Sequence, residues 1–378
     1  MQAETIITGG GMAGMSCALK LLEANQDFAL VTEALGGRIL YSESTRVNYG
    51  AYFVMRNYIH AKKLLARETL LLPTDACFHN SSLERFGLLS LHTLLRLPEL
   101  LRFYLAMREF TAHYEPYKQR CQAIPQKTAM AADPYIARLF SLPATEFIQE
   151  KNFAQAAEDY ISKFAYACTG VSPAQLTALD FMNVCQGMVT PIHCFSFDRQ
   201  SVSEKLGSRL VFDAITGLES QDGGYLLTSK SGKVYQARNV VIATPAAVTQ
   251  RLLNLPEIRQ ASQLYVWHVK AQLKPIYARF DMNLFPYTSK FMLTAKQLDG
   301  TYLIYSREQD VDLYQICENY ELLKKVTWEK AMYVQGQAYL EQQYGDGLFV
   351  AGDHNGLGLE PAAISGIYAA NQIVGRKG

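Results

Sequence analysis

No sign of charge dominates this chain of 378 residues: Lys and Arg total 36 against 35 Asp and Glu, a formal net charge of +1. So even a balance leaves no basic footprint for a nucleic acid partner. The seven cysteines, at 17, 77, 121, 168, 185, 194 and 317, are odd in number and include no C-x-x-C pair. That pattern argues against a disulfide framework or a thiolate zinc site, and it predicts reduced thiols, no metal centre and a cytoplasmic location. No run of eighteen apolar residues marks a membrane-spanning helix, and no signal peptide is expected before the first strand. Internal repeats and low-complexity segments are also missing. What the chain does have is bulk: with 49% hydrophobic residues it can fill two packed cores, so two domains are predicted.

The first fifty residues carry the clearest pattern. Glu4 to Thr8 read as a short apolar strand, and Gly9, Gly11 and Gly14 then form G-x-G-x-x-G, with Met12 and Ala13 opening a helix predicted to run to Asn25. Each glycine meets a physical need: a tight turn, close approach of backbone to a pyrophosphate, and close packing of helix on strand. Phosphates would lie at the helix N-terminus, where free N–H groups and the positive dipole end coincide. A second strand, Phe28 to Thr32, delivers Glu33 about twenty residues past the glycines, where a carboxylate can accept hydrogen bonds from ribose hydroxyls. Gly36, Gly37 and Arg38 follow, and the arginine is a planar multi-donor cation suited to pyrophosphate.

Several blocks together resemble the flavin amine oxidase superfamily, which includes monoamine and polyamine oxidases, protoporphyrinogen oxidases and carotenoid-type desaturases. GGGMAG and GGRI are followed by VNYGAYFV (47–54), similar to the family segment whose glycine runs under the flavin ring, which implies contacts from Gly50 and Ala51. LVFDAITGLES (210–220) resembles the strand that holds the adenine, placing Ile215 there, and NVVIATPAAV (239–248) brings Thr244 and Pro245. LFVAGDHNGLGLEPAAISGIYAANQI (348–373) resembles the closing strand and helix, implying that Gly352 and Asp353 meet the ribityl chain and that Ala363 offers N–H groups to the flavin pyrimidine edge. The implied fold class is α/β: a Rossmann-like FAD-binding domain with a parallel sheet and a β-meander (1–54, 200–255, 345–378), carrying an inserted α+β substrate domain (55–199, 256–344). Met332 stands where monoamine oxidases carry a flavin-linked cysteine, so FAD is expected to be non-covalent.

The resemblance implies an FAD-dependent oxidoreductase that takes a hydride from a hydrophobic or aromatic small molecule, with dioxygen or a quinone as acceptor. C–N dehydrogenation stands ahead of C–C desaturation of a lipophilic substrate, and a redox-neutral isomerase or non-catalytic flavin protein is the alternative of another class. Two catalytic candidates follow. Tyr333 would be the surviving half of an aromatic pair whose other position is Gly358; the plainer reading is a packed core tyrosine. Lys270 would be a lysine near the flavin; it shares the even-numbered face of a predicted half-buried strand with His268 and Gln272, which also fits a solvated sheet face. His354 reads as a base or, more simply, as a cap. From Leu88 to Met107 the chain carries nine leucines with a break expected at Pro98. Buried helices roofing the substrate cavity are the favoured reading; the other is an interfacial pair giving a weak membrane association.

Overall fold

The apolar runs and glycine turns at the amino terminus fold as a parallel β-α-β unit: strand Gln2–Gly10, helix Met12–Glu23 and strand Phe28–Leu35. They belong to a computed structural model that describes residues 2–80, 84–257, 259–336 and 338–376. The first strand is flanked in parallel by Phe28–Leu35 on one side and by Val234–Ile242 on the other, and Leu210–Phe212 and Leu348–Val350 extend the parallel run. Strand Val234–Ile242 is buried from Asn239 onward, as a strand covered on both faces should be. Its outer half pairs antiparallel with Gly224–Ser229, which pairs with Ile215–Gln221, forming a meander turned at Asp222-Gly223 and Ser231-Gly232. Helix Leu359–Gly375 follows the last strands and shares the apolar core of helix Met12–Glu23. The protein is thus α/β, with a mainly parallel sheet and a meander.

A second, seven-stranded sheet is built on the long strands Gln260–Leu273 and Cys317–Gln335, which pair antiparallel along most of their length. Phe291–Lys296 and Tyr302–Ser306 form the hairpin across Asp299-Gly300. Helices between residues 91 and 188 pack with this sheet in one large apolar core.

Three expectations change here. Pro98 does not break the helix: Leu91–Arg120 runs for 30 residues through both Pro98 and Pro116. Each proline faces solvent, as do Leu94 and Ala112 four residues earlier, so water can satisfy the carbonyls left without a donor. The leucines in its first half are not a buried roof. Leu89 and Leu91 are 88% and 79% exposed, and Leu94, Leu95, Leu97, Leu101 and Leu105 are all more than half exposed. Finally, the strand 265–273 does not alternate throughout: Leu264 and Val266 enter the helical core while Tyr265, Trp267 and Val269 enter another, so His268 is buried between covered faces. Only from Lys270 onward does its even face reach solvent.

Candidate functional site

The turn between the first strand and helix is held from outside the glycine motif. Gly10 N–H donates to Thr32 Oγ1 at 2.8 Å, and the same hydroxyl donates to Ala34 O at 2.8 Å, tying the turn to the second strand. Gly9 sits at φ +101°, and a Cβ there would lie 2.5 Å from Ala243 O; one on Gly14 would lie 1.9 Å from Gly9 O. Over Gly11, by contrast, nothing comes nearer than Gly37 Cα at 4.0 Å, and the first turn of the helix carries no acidic residue. The backbone is therefore drawn tight beneath and left open above a helix N-terminus, as a pyrophosphate requires.

This turn opens into a cavity of about 770 Å³, within the range of cofactor and ligand sites. Its walls include Gly9, Gly11, Met12, Ala13, Glu33, Gly37, Arg38, Gly50, Ala51, Ile215, Thr244, Pro245, Gly352, Asp353 and Tyr333. Gly14 lies beneath it. Glu33 is at an open edge, 71% exposed and 3.8 Å from Lys230 Nζ. Asp213 also lines the wall, a carboxylate inside the 210–220 block that no spacing rule in the sequence singles out. Hydrogen bonds from Ser231, Ser229 and the Ala214 and Ser231 backbone hold the Asp213 carboxyl far below its ordinary range.

Arg38 stands at the junction of the sheets. Its guanidinium donates to Ala331 O at 2.8 Å and forms an ion pair with Asp353. The motif suits Arg38 to pyrophosphate, and the family resemblance implies Asp353 at the ribityl chain; in the fold the two side chains meet each other, because the 36–38 turn and the loop after Leu348–Val350 converge on one wall. Burial pushes the Asp353 carboxyl up, but the Arg38 charge and hydrogen bond outweigh it and hold the group below the usual carboxylate value. About a third of the Arg38 side chain remains accessible, to the cavity it lines.

Gly50 admits no side chain: a Cβ would lie 1.9 Å from Arg38 O and 3.2 Å from the Trp328 ring. The segment is anchored on both sides. Trp328 Nε1 donates to Tyr49 O at 2.9 Å, and Tyr49 O–H meets His268 Nδ1 at 2.9 Å. His268 Nε2 in turn lies 2.7 Å from Thr301 Oγ1, whose own proton goes to Asp299. With Thr301 donating onward, Nε2 must carry the proton and Nδ1 must accept from Tyr49. His268 is thus a satisfied core residue, and burial pushes its pKa down.

Beyond Gly50 the lining turns aromatic, with Tyr52, Phe53, Tyr58, Phe164, Tyr305 and Trp328. Tyr333 belongs to this wall. Burial pushes its phenol up, opposed by the Ala247 backbone and the Arg38 charge, and its buried hydroxyl has no hydrogen-bond partner of good geometry among the described residues. Gly358 also lines the cavity, and Tyr58 O–H lies 3.6 Å from where its Cβ would be, so an aromatic side chain approaches this position from another segment. Glu360 does not face inward. It is buried, and its carboxylate accepts from Ile59, His60 and Ala61 N–H at 2.8–3.1 Å, fixing the loop beside Tyr58.

Three sequence candidates lie elsewhere. Lys270 is exposed on strand Gln260–Leu273, in register with Glu321 and outside the cavity wall, because the helical core covers that face only up to His268. The cavity-lining lysine is Lys330, three residues before Tyr333 on the same strand. Ala363 is fully buried in the second turn of its helix; Leu359 and Ala362 line the wall instead, since the orphan N–H groups belong to the first turn. Neither buried ring nitrogen of His354 has a hydrogen-bond partner of good geometry among the described residues, and burial outweighs the Ala351 backbone and the Asp353 charge to hold its pKa below the usual value. Among the described residues no His, Cys, Asp and Glu group could hold a metal ion, and no helix is long and apolar enough to cross a membrane.

Residues 12–273, more than half of the chain, match the family of flavin containing amine oxidoreductases. Comparison with curated proteins gives no match. Solved structures share the fold at 13% identity: putrescine oxidase bound to putrescine (TM-score 0.66, all of both chains), cyclohexylamine oxidase from Brevibacterium oxydans (0.67, 99% of this chain and 98% of that one) and a CLA-producing fatty acid isomerase from P. acnes (0.69, 99% and 98%).

Proposed function

The chain belongs to the flavin containing amine oxidoreductases, and from that premise we propose that it dehydrogenates an uncharged hydrophobic or aromatic small molecule, with FAD held non-covalently. Bound flavin supplies a two-electron acceptor for the hydride. In this reading residues 1–54, 200–255 and 345–378 hold the dinucleotide, and 55–199 and 256–344 shape the substrate half. Gly9, Gly11, Met12 and Ala13 take the pyrophosphate with Arg38, Glu33 the ribose, Ile215 the adenine side, and Gly50, Ala51, Thr244, Pro245, Gly352 and Asp353 the flavin side. Leu359 replaces Ala363 at the helix N-terminus.

One observation carries the substrate class. The carboxylates of the cavity wall, among the described residues, are Glu33, Asp213 and Asp353, all from the dinucleotide-binding segments, while residues 55–199 and 256–344 bring only the cations Arg199 and Lys330 to it. An ammonium ion would find no counter-charge there and would lose its hydration. A hydrophobic amine would therefore bind as the free base, with Tyr333 on the wall and a C–H bond next to nitrogen broken. Desaturation of a lipophilic C–C unit is the second reading, favoured by the same missing counter-charge. Dioxygen or a quinone is the proposed final acceptor, and the cytoplasm the proposed location.

Anaerobic mixing of the yellow holoprotein with a hydrophobic primary amine should bleach it, and air should restore the colour. Colour unchanged by amines but bleached by a lipophilic alkane unit would select the second reading. Turnover without bleaching would mean redox-neutral chemistry. Acid precipitation should leave the flavin in the supernatant, since Met332 offers no thiol for a linkage.

A further inference from the structure

From Leu89 to Leu101 every exposed residue is a leucine or Pro98. Helix propensity does not require such a run of exposed leucines, and contiguous apolar surface of this kind marks interaction sites. The polar residues that do occur on this stretch turn inward. Arg96 and His92 bond Asp159, and Glu99 accepts from Ala156 N–H. On the helix just beyond the apolar face, Arg102 and Arg108 are exposed and make no ion pair with the described residues, while the neighbouring Glu109 is paired with Lys151. Tyr104 lies at the same boundary.

The face also adjoins the cavity. Leu88, directly before it, lines the cavity wall together with Leu71 and the exposed Pro73, so the cavity wall reaches the surface near where the leucines begin. We infer that the amino-terminal half of helix Leu91–Arg120 docks on the surface of an anionic lipid bilayer, with its leucines among the acyl chains, Arg102 and Arg108 at the phosphates, and the cavity opening turned toward the membrane. No helix spans the bilayer in this arrangement; the contact lies in its plane. The docking rests on the proposed function only for what enters the opening: a lipophilic molecule that partitions from lipid directly into an aromatic pocket.

Flotation with vesicles of phosphatidylcholine, with and without phosphatidylglycerol, tests it on the full holoprotein. The wild type should float, more strongly with phosphatidylglycerol. The triple variant Leu94→Ser, Leu95→Ser, Leu101→Ser should lose about tenfold or more in partitioning. Arg102→Glu with Arg108→Glu should remove the preference for anionic lipid. These side chains are on the surface and outside the cavity, so circular dichroism and flavin content should stay unchanged. A wild type that stays in the soluble fraction, or a triple variant that floats equally well, overturns the inference. So does a concentration-dependent dimer that the triple variant dissolves without any vesicle binding, which would assign the face to a second copy. Flotation reads no turnover, so failure to oxidise any amine would count against the proposed function alone.

Discussion

Arg38 and Asp353, separated by 315 positions, form an ion pair on one wall of the cavity, and the same guanidinium holds Ala331 O from the second sheet. The segments of the first sheet and the long strand of the other are thereby linked through one cation on the cavity wall.

Replacing that cation separates two effects. Arg38→Ala should weaken FAD binding by roughly 1.5–3 kcal/mol, the worth of a charge-assisted hydrogen bond, and reconstitution of the apoprotein would measure it. Glu33→Ala should cost less, because the carboxylate sits in solvent at the open edge. The acid limb of stability should move as well. Asp353 has a pKa lower in the folded chain than in the unfolded one, so it contributes stability that is present above the unfolded value and lost as pH falls through the folded one. Without Arg38, burial of Asp353 is opposed only by the His354 charge and a backbone hydrogen bond, so acid unfolding should set in at higher pH than in the wild type.

Gly50→Ala is expected to disrupt both halves of the site. The new methyl would collide with Arg38 O at 1.9 Å, and that atom is backbone and cannot swing aside. A loss of about 1–3 kcal/mol in stability is expected, with lower flavin content per chain. Thermal unfolding and flavin absorbance would check it, and a fully loaded variant of unchanged Tm would refute the packing account.

Tyr333 and Lys270 should behave in opposite ways. Tyr333→Phe should slow substrate-dependent flavin reduction modestly and Tyr333→Ala more, about tenfold, since the ring forms the wall. Lys270→Met should change the rate by less than about twofold, as expected of an exposed residue outside the site. Rapid-mixing kinetics under anaerobic conditions would measure both, and a large loss in Lys270→Met would return that lysine to the chemistry.

Glu360→Ala leaves the Ile59, His60 and Ala61 amides without their acceptor. Stranding buried donors of a charged hydrogen-bond partner should cost roughly 2–5 kcal/mol in urea unfolding. The loop also positions Tyr58, so substrate affinity should fall along with stability. Unfolding at the wild-type urea concentration would exclude this role.

The sequence by itself determined what the backbone must do. Gly9, Gly14 and Gly50 are dictated by approaches too close for a Cβ, and a strand, a turn and a helix start are local patterns, so the glycine turn could be read from spacing, while the meander and the family came from the resemblance of several separated blocks. Arg38 and Asp353 could be picked out for the same cavity, but not as partners of each other. Only the tertiary structure decided which faces are covered. Lys270 and His268 share one strand face in the sequence, yet the helical core ends between them, burying the histidine and leaving the lysine in water. The leucines of 89–105 have a composition that suits either a core or a surface, and their exposure follows from what packs against the helix rather than from the helix itself. The same limit applies to Lys330 and Ala363, whose places on or behind the cavity wall depend on strands and turns brought together from distant parts of the chain.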